Sequence, residues 1–288
     1  MKVNNAIILA AGTASRFAPL SYEKPKALIE VRGEILIERQ IRQLKEAGIN
    51  EIIIVTGYKS EQFEYLKSKF DIKIVYNPDY MTRNNNSSIY AAKEYIKNSY
   101  ICSADNYFIQ NPFEKELSNS YYSAVYIEGE TNEWCIEEKN GIIKNVSIGG
   151  KDSWIMLGHV FWSANFSKKF LEILENEYNN PETFDKLWET IYIEHISELK
   201  MQIRKYCSDY IFEFDTLDEL REFDISYVEN TRSSILKSIA KELNVTESKI
   251  KYITAIKDKN NIAVGFTFNA DKRYKYNYMT QELEEIIK

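Results

Sequence analysis

Histidine is almost missing from this chain: His159 and His195 are the only two among 288 residues. The sequence shows no sensible nucleophile–base triad around either, which turns attention from covalent catalysis to chemistry done by charge and position. Cysteine is nearly as scarce. Cys102, Cys135 and Cys207 lack metal-ligand spacing and, being three, cannot all pair. A reducing compartment fits better than a disulfide framework, and small buried apolar roles are expected. No apolar run approaches the ~20 residues of a membrane span, and residues 1–10 carry no secretory pattern. A cytoplasmic protein with no membrane partner is the expectation. A basic excess is absent too: the net charge is −6, which argues against a nucleic-acid partner.

What remains is an ordinary globular composition, 44% hydrophobic and 28% charged, long enough for one large domain and a smaller piece. Apolar runs at Ala6–Ala10, Glu51–Thr56, Ile72–Tyr76 and Tyr100–Ala104 alternate with helical periodicity at Ile35–Ala47, Ser60–Phe70 and Ser87–Ile96. This order predicts an α/β fold with a mostly parallel central sheet flanked by helices. Ligands then bind at the C-terminal strand ends, where the turn after Ala10 and Asp105 both fall.

From Tyr121 the texture changes. Ser123–Ile127, Trp134–Glu137, Ile142–Ile148 and Trp154–Trp162 read as short strands separated by Asn-Gly and Gly-Gly turns, an antiparallel extension. Helices are expected at Ser167–Tyr178 and Thr183–Leu199, strands at Met201–Lys205 and Ile211–Phe214, and a short helix at Leu217–Phe223. A boundary near Glu229 divides a main domain, 1–229, from a small α+β appendage, 230–288. The appendage reads as a helix (Ser233–Leu243), strands at Tyr252–Ile256, Ile262–Asn269 and Lys272–Tyr278, and a closing acidic helix.

The richest segment is Ala10-Ala11-Gly12-Thr13-Ala14-Ser15-Arg16-Phe17, followed by Lys24-Pro25-Lys26. Small residues let main-chain N–H groups approach an anion, a helix starting there adds partial positive charge, and Arg16 and Lys26 supply two cations. Asp105, at a strand end, is a natural ligand for a divalent metal held jointly with substrate phosphates. Asp215, in Glu213-Phe214-Asp215-Thr216, is a second such ligand or, alternatively, a helix N-cap. Cradle, cations and carboxylates together suit nucleotidyl transfer, which needs charge offset and alignment rather than a protein nucleophile. On the acceptor side, Trp134, Asp185, Trp188, Glu189 and Tyr192 offer aromatic faces and carboxylates, the last four spaced for one helical face. Such a group suits a quaternary ammonium. Packing by Trp188 with acids around it is the other reading.

These segments resemble the signature of nucleotide-diphospho-sugar pyrophosphorylases. Val55-Thr56-Gly57-Tyr58, Asn84-Asn85-Asn86-Ser87-Ser88, Ala104-Asp105-Asn106-Tyr107-Phe108, Thr131-Asn132-Glu133-Trp134 and Glu213-Phe214-Asp215-Thr216-Leu217 narrow it. Over residues 3–225 the chain is similar to bacterial CTP:phosphocholine cytidylyltransferases. The resemblance implies a Rossmann-like nucleotidyltransferase fold and a Mg²⁺-dependent reaction of CTP with phosphocholine giving CDP-choline and pyrophosphate. It places Arg16 and Lys26 on catalytic phosphate-binding positions and Asp105 and Asp215 on metal positions. Ala10, Ala11, Gly12, Thr13, Ala14, Ser15, Arg16 and Ala104 fall on the nucleotide side, with Asn85 and Ser88 on a base-side loop or serving as a helix cap. Trp134, Asp185, Trp188 and Tyr192 fall around choline. Relatives often carry glycine where this chain has Ala14; a methyl group is tolerable at negative φ but disfavours a left-handed turn.

Three other functions are compatible with the same residues: transfer to phosphoethanolamine or 2-aminoethylphosphonate, transfer to a sugar 1-phosphate, or a catalytically silent nucleotide-binding module. Residues 230–288 faintly resemble the opening of choline-kinase-like domains. They are too few for a complete kinase, and a small accessory module is expected.

Overall fold

Asn5–Ala10 forms strand β1, and Ala6, Ile7 and Ile8 within it are fully buried. The computed structural model describes residues 1–259 and 262–287, and the chain divides into two compact units. One joins Met1–Gly12 to Ile37–Glu213, and the other joins Thr13–Leu36 to Phe214–Lys288.

In the first unit β1 pairs in parallel with β2 (Ile52–Thr56), which pairs in parallel with β3 (Lys73–Tyr76). On its other side β1 pairs in parallel with β4 (Ser99–Ser103). β1 and β2 are apolar almost throughout because a parallel sheet is covered on both faces. The short β5 (Asn106–Phe108) follows, then β6 (Tyr121–Lys139), β7 (Ile142–Trp162), β8 (Gln202–Tyr206) and β9 (Ile211–Glu213). The seven-stranded sheet runs β8-β6-β7-β4-β1-β2-β3, with β7 antiparallel to both β4 and β6. The expected α/β architecture with an antiparallel extension is what forms. Helices α1 (Leu36–Glu46), α2 (Asn86–Ala91), α3 (Ala164–Glu177) and α4 (Trp188–Glu194) accompany it. Among the described residues no helix is long and apolar enough to cross a membrane.

Three local expectations change. The four short strands between Ser123 and Trp162 are two long ones, β6 and β7, joined at Asn140-Gly141, where φ is 56° and 76°. That is the left-handed pair a tight hairpin requires. Register shifts near Glu130 and Trp134 absorb the polar stretch as bulges, so the ladder continues where apolar alternation lapses. The helix expected over Ser60–Phe70 breaks into two turns, Ser60–Phe63 and Tyr65–Phe70. The helix expected over Thr183–Leu199 contracts to Trp188–Glu194 behind a tight turn at Pro181–Thr183.

The second unit contains α5 (Leu217–Phe223), α6 (Ser234–Leu243) and an antiparallel sheet in the order β10 (Lys251–Lys257), β11 (Ala263–Asn269), β12 (Arg273–Asn277), β13 (Leu283–Glu285). Where a closing acidic helix is expected, the chain forms strand β13 instead. Glu284 lies opposite Lys275 of β12 (3.8 Å), and Glu285 is paired with Lys272 just before that strand (2.8 Å), ion pairs that favour the ladder. Leu236, Ile239, Ile250, Phe266 and Phe268 are buried here. The buried Arg221 guanidinium donates to the carbonyls of Tyr227 (3.3 Å), Glu247 (2.7 Å) and Ile250 (2.6 Å).

Segment Thr13–Leu36 is fastened to this tail. The Glu23 carboxylate accepts from the N–H groups of Ser234 (2.7 Å) and Ile235 (3.2 Å), closing the N-terminus of α6 with negative charge. Tyr22 stacks on Tyr278 at 3.7 Å, and the Tyr227 hydroxyl donates to the Glu30 carbonyl (2.6 Å).

Candidate active site

Where β1 ends, the Ala11 carbonyl accepts from Tyr58 N–H (3.0 Å). Gly57 lies so close that a Cβ on it would stand 2.6 Å from the Tyr80 ring and 2.9 Å from the Ala11 oxygen. Glycine is required there by the approach of two segments. Gly12 differs: it is exposed, and a Cβ on it would meet nothing within 4 Å. The Ala104 N–H donates to the Leu9 carbonyl (3.1 Å). It is engaged inside the sheet, so Ala104 has no main-chain donor left for a nucleotide.

In the second unit the expected helix start is only one tight turn, Ser15–Phe17, closed by Phe17 N–H donating to the Ala14 carbonyl (2.9 Å). So short a turn has little macrodipole, and anion binding there depends on individual N–H groups and side chains. Among the described residues the N–H groups of Thr13 to Arg16 enter no hydrogen bond. Ala14 has φ 45° and ψ 46°, the left-handed conformation that its methyl group disfavours. Ala14→Gly therefore raises unfolding free energy by about 0.5–1 kcal/mol after the entropy of glycine is counted. Urea denaturation checks this; a loss of stability would show that the methyl group packs favourably.

Arg16 is exposed, with Nη1 2.8 Å from Asp215 Oδ2. Lys26 is buried, its Nζ 3.7 Å from Asp215 Oδ1 and 5.8 Å from the Phe17 ring centroid. Asp215 precedes α5 without capping it. Thr216 is the cap: its hydroxyl accepts from Glu219 N–H (3.2 Å), while the Glu219 carboxylate accepts from the N–H groups of Asp215 (2.6 Å) and Thr216 (3.1 Å). The capping box leaves the Asp215 side chain to the two cations. Two positive groups around one carboxylate retain net positive charge, which suits a polyphosphate.

Asp105 belongs to the first unit, half-buried between β4 and β5. β5 pairs antiparallel with β9, Asn106 opposite Glu213, and Asn106 Nδ2 donates to Glu213 (3.3 Å). Asp105 therefore stands one residue before that rung. Among the described residues no three His, Cys, Asp or Glu side chains gather as a metal cluster.

On the acceptor side the expected constellation does not assemble. Asp185 is exposed in the turn before α4, off the helix, and cannot share a face with Trp188 and Tyr192. Trp188 is 2% exposed, stacked on Tyr122 at 5.9 Å and edge-on to Trp162 at 5.1 Å. Tyr192 is fully buried near Phe166. Their ring faces are already occupied by the core. Trp134 lies half-buried on the β6–β7 hairpin opposite Ile148, and no ring contact joins it to Trp188 or Tyr192 among the described residues.

The asparagine-rich loop also differs from expectation. Ser88 is buried and its hydroxyl accepts from Asn77 (3.1 Å). Asn85 does not cap α2. Its carbonyl oxygen accepts from Trp188 N–H (2.7 Å) and its amide donates to Glu189 Oε2 (3.1 Å). Asn84 and Asn86 donate to the Asp185 (3.0 Å) and Thr183 (2.8 Å) carbonyls. The three asparagines thus stitch segment 183–189 in place. Glu189, which the sequence pattern sets beside Trp188, is the acid of this group that the structure holds in place. Burial pushes its carboxyl up to about 7, against the lowering effect of its hydrogen bonds. Its signal in the sequence is one acid beside an aromatic, indistinguishable from a solvated helix face.

Comparison with known proteins bears on the family and the fold. Residues 6–155 match the model of the MobA-like NTP transferase domain. The chain is 38% identical over 220 residues to the choline-phosphate cytidylyltransferase of Streptococcus pneumoniae, covering 76% of this chain and 96% of that one. It is 35% identical over 234 residues to the 2-aminoethylphosphonate cytidylyltransferase of Lancefieldella rimae, covering 80% and 95%. The solved CTP:phosphocholine cytidylyltransferase of Streptococcus pneumoniae superposes with a TM-score of 0.74, covering 77% of this chain and 97% of that one. The chain belongs to the MobA-like NTP transferase family and is a nucleotidyltransferase.

Proposed function

We propose that this nucleotidyltransferase makes CDP-choline from CTP and phosphocholine. The geometry that carries the reading is the Arg16–Asp215–Lys26 cluster beside the Thr13–Arg16 turn, a net-positive group with unengaged N–H donors among the described residues. The choice of substrates is supported by identity along nearly the whole length of choline-phosphate relatives.

A phosphate oxygen of phosphocholine attacks the α-phosphorus of CTP. The new P–O bond forms as the bond to the β-phosphate bridge breaks, and pyrophosphate leaves with the electron pair. Lys26, buried and fixed, holds the α-phosphate. Arg16, long and exposed, swings from Asp215 to the leaving β- and γ-phosphates. The N–H groups of Thr13 to Arg16 bind further phosphate oxygens. Asp105 and Asp215, each taken by itself, are carboxylates suited to a divalent cation, Mg²⁺ in this reading. Their hard oxygen donors and small number suit an ion that keeps waters and phosphates as its other ligands. Such an ion, when bound, neutralises triphosphate charge.

A second reading is supported by the 2-aminoethylphosphonate relative: the acceptor carries a primary ammonium. Pyrophosphate release, measured with each NTP against phosphocholine, phosphoethanolamine, 2-aminoethylphosphonate and a sugar 1-phosphate, separates them. CTP with phosphocholine is expected to give the highest kcat/KM. A higher value for 2-aminoethylphosphonate would transfer the assignment to that acceptor, and no release with any pair would sink the enzyme reading. Trp134→Ala adds a check on the choline contact: it should raise KM for phosphocholine more than for CTP.

A further inference from the structure

The edge strand of the tail sheet, β10, is deformed where it meets α5. Its pairing with β11 slips between Lys251 and Thr254, and Tyr252 inside that bulge has a φ of 54°. The left-handed conformation is disfavoured for any residue with a Cβ, and for a bulky aromatic it is a true outlier. The bulge is clamped all the same. Tyr252 N–H donates to Asp218 Oδ2 (2.9 Å), and Arg221, which pairs with Asp218 Oδ1 (3.1 Å), also holds the Ile250 carbonyl (2.6 Å). The fold makes no use of the side chains this clamp presents. Tyr252 is 72% exposed, Lys251 beside it is exposed, and among the described residues neither the Tyr252 ring and hydroxyl nor the Lys251 ammonium has a partner. Backbone strain held in place around an unpartnered side chain is characteristic of a ligand site.

The surroundings supply the ligand. Cα atoms of β10 come within 8 Å of those of the Ser15–Phe17 turn. Asp218, which holds Tyr252, lies about one helical turn beyond Asp215, whose carboxylate holds Arg16 at 2.8 Å. All of these elements belong to the second unit. β10 also falls outside residues 3–225, the stretch similar to phosphocholine cytidylyltransferases, so that likeness gives it no role.

We infer that Lys251 and Tyr252 bind the leaving pyrophosphate, the lysine by charge and the tyrosine by donating its hydroxyl proton to a phosphate oxygen. This rests on the reading of the Arg16–Asp215–Lys26 cluster as the triphosphate site. Two cations around one carboxylate offset only part of the charge that a departing pyrophosphate carries. An unpaired ammonium and a neutral donor add to that offset at the β- and γ-phosphates. The tail is then part of the substrate site as well as its support.

Pyrophosphate and CMP, titrated separately into the full chain with Mg²⁺ present and followed by calorimetry, test this. Pyrophosphate reports on the β- and γ-phosphate site, whereas CMP carries only the phosphate that stays with the nucleoside. Lys251→Met should weaken pyrophosphate by about 3- to 10-fold, the loss expected for a charge partly screened by water, and leave CMP nearly unchanged. Tyr252→Phe, which loses only the hydroxyl, should weaken pyrophosphate less. Tyr252→Asn also weakens it, but asparagine suits the left-handed backbone, so the urea midpoint should stay at or above that of the wild type. In turnover, Lys251→Met should raise KM for CTP while KM for phosphocholine moves little.

A lowered urea midpoint in Tyr252→Asn, with pyrophosphate and CMP weakened alike, would make the bulge a packing feature and overturn the inference. So would a wild-type protein that makes CDP-choline yet binds pyrophosphate no better than Lys251→Met; the function reading would then stand. No release of pyrophosphate from any nucleotide by the wild type overturns the function reading itself, and the inference with it.

Discussion

Replacing Lys26 with methionine lowers kcat/KM for CTP by about two to three orders of magnitude, the loss typical of one preorganised charge at a reacting phosphate. Lys26 is 7% exposed and 3.7 Å from Asp215, so its ammonium is held in place before any substrate arrives. Methionine keeps most of the buried stem, and Arg16 remains 2.8 Å from Asp215 to balance that carboxylate. The fold should therefore survive. Arg16→Ala should cost less, nearer tenfold, because a side chain 72% exposed to water loses conformational freedom on binding and acts through a higher dielectric. Steady-state kinetics with both variants check the order. If Arg16→Ala proved the more damaging, the exposed cation would be the principal one and the assignment of Lys26 to the α-phosphate would fall.

Removing residues 234–288 should abolish turnover as well, at least about a hundredfold. The expectation comes from what the tail holds. Helix α6 and the β10–β13 sheet, with the turn between them, contain Leu236, Ile239, Ile250, Phe266 and Phe268, buried apolar residues of the second unit. Their loss leaves Thr13–Leu36 without Ser234 against Glu23 and without Tyr278 against Tyr22. The phosphate-binding turn and Lys26 lie in that same segment. A gentler probe is Glu23→Gln, which keeps the shape but removes the charge at the start of α6. It should destabilise the protein by about 1 kcal/mol and raise KM for CTP. Full turnover in the truncated chain would show that the tail is dispensable, an accessory module with no hold on the catalytic segment. Glu23→Gln then becomes a control for stability alone.

How much of the fold is legible in the sequence depends on whether the signal is local. The parallel sheet is readable because β1, β2 and β4 are short apolar runs separated by periodic helices, and each stands out without knowledge of its partner. The Asn140-Gly141 turn is readable because its backbone demand is written in two residues. The β6–β7 hairpin is opaque at its far end, where polar residues between Glu128 and Glu133 hide a strand sustained by its ladder rather than by burial. The terminal strand β13 reads as a helix because Glu-Leu-Glu-Glu has helical propensity; the basic edge of β12 overrides it.

The site divides along the same line. Arg16, Lys26 and Asp215 can be picked out as charges beside a small-residue turn, and they do form one cluster. Sequence offers Asp215 as the cap of α5, and the structure gives that role to its neighbour Thr216, a one-residue shift set by the capping box with Glu219. Trp188 and Tyr192 carry the chemistry for a cation box, but burial depends on what α4 packs against, and that information lies in β6, β7 and α3. Asn85 looks like a cap for its own helix because asparagine so often is one. Its actual partner lies more than a hundred residues away, beyond any local pattern.

Phosphorus NMR of the protein incubated with CTP, phosphocholine and Mg²⁺ tests the nucleotidyl-transfer assignment most directly. Formation of a phosphoanhydride bond joining CMP to phosphocholine, matched by one equivalent of pyrophosphate and slowed by about two to three orders of magnitude when Lys26 is replaced by methionine, is the predicted result. Unchanged phosphocholine alongside CMP or CDP, or no reaction at all, would contradict it.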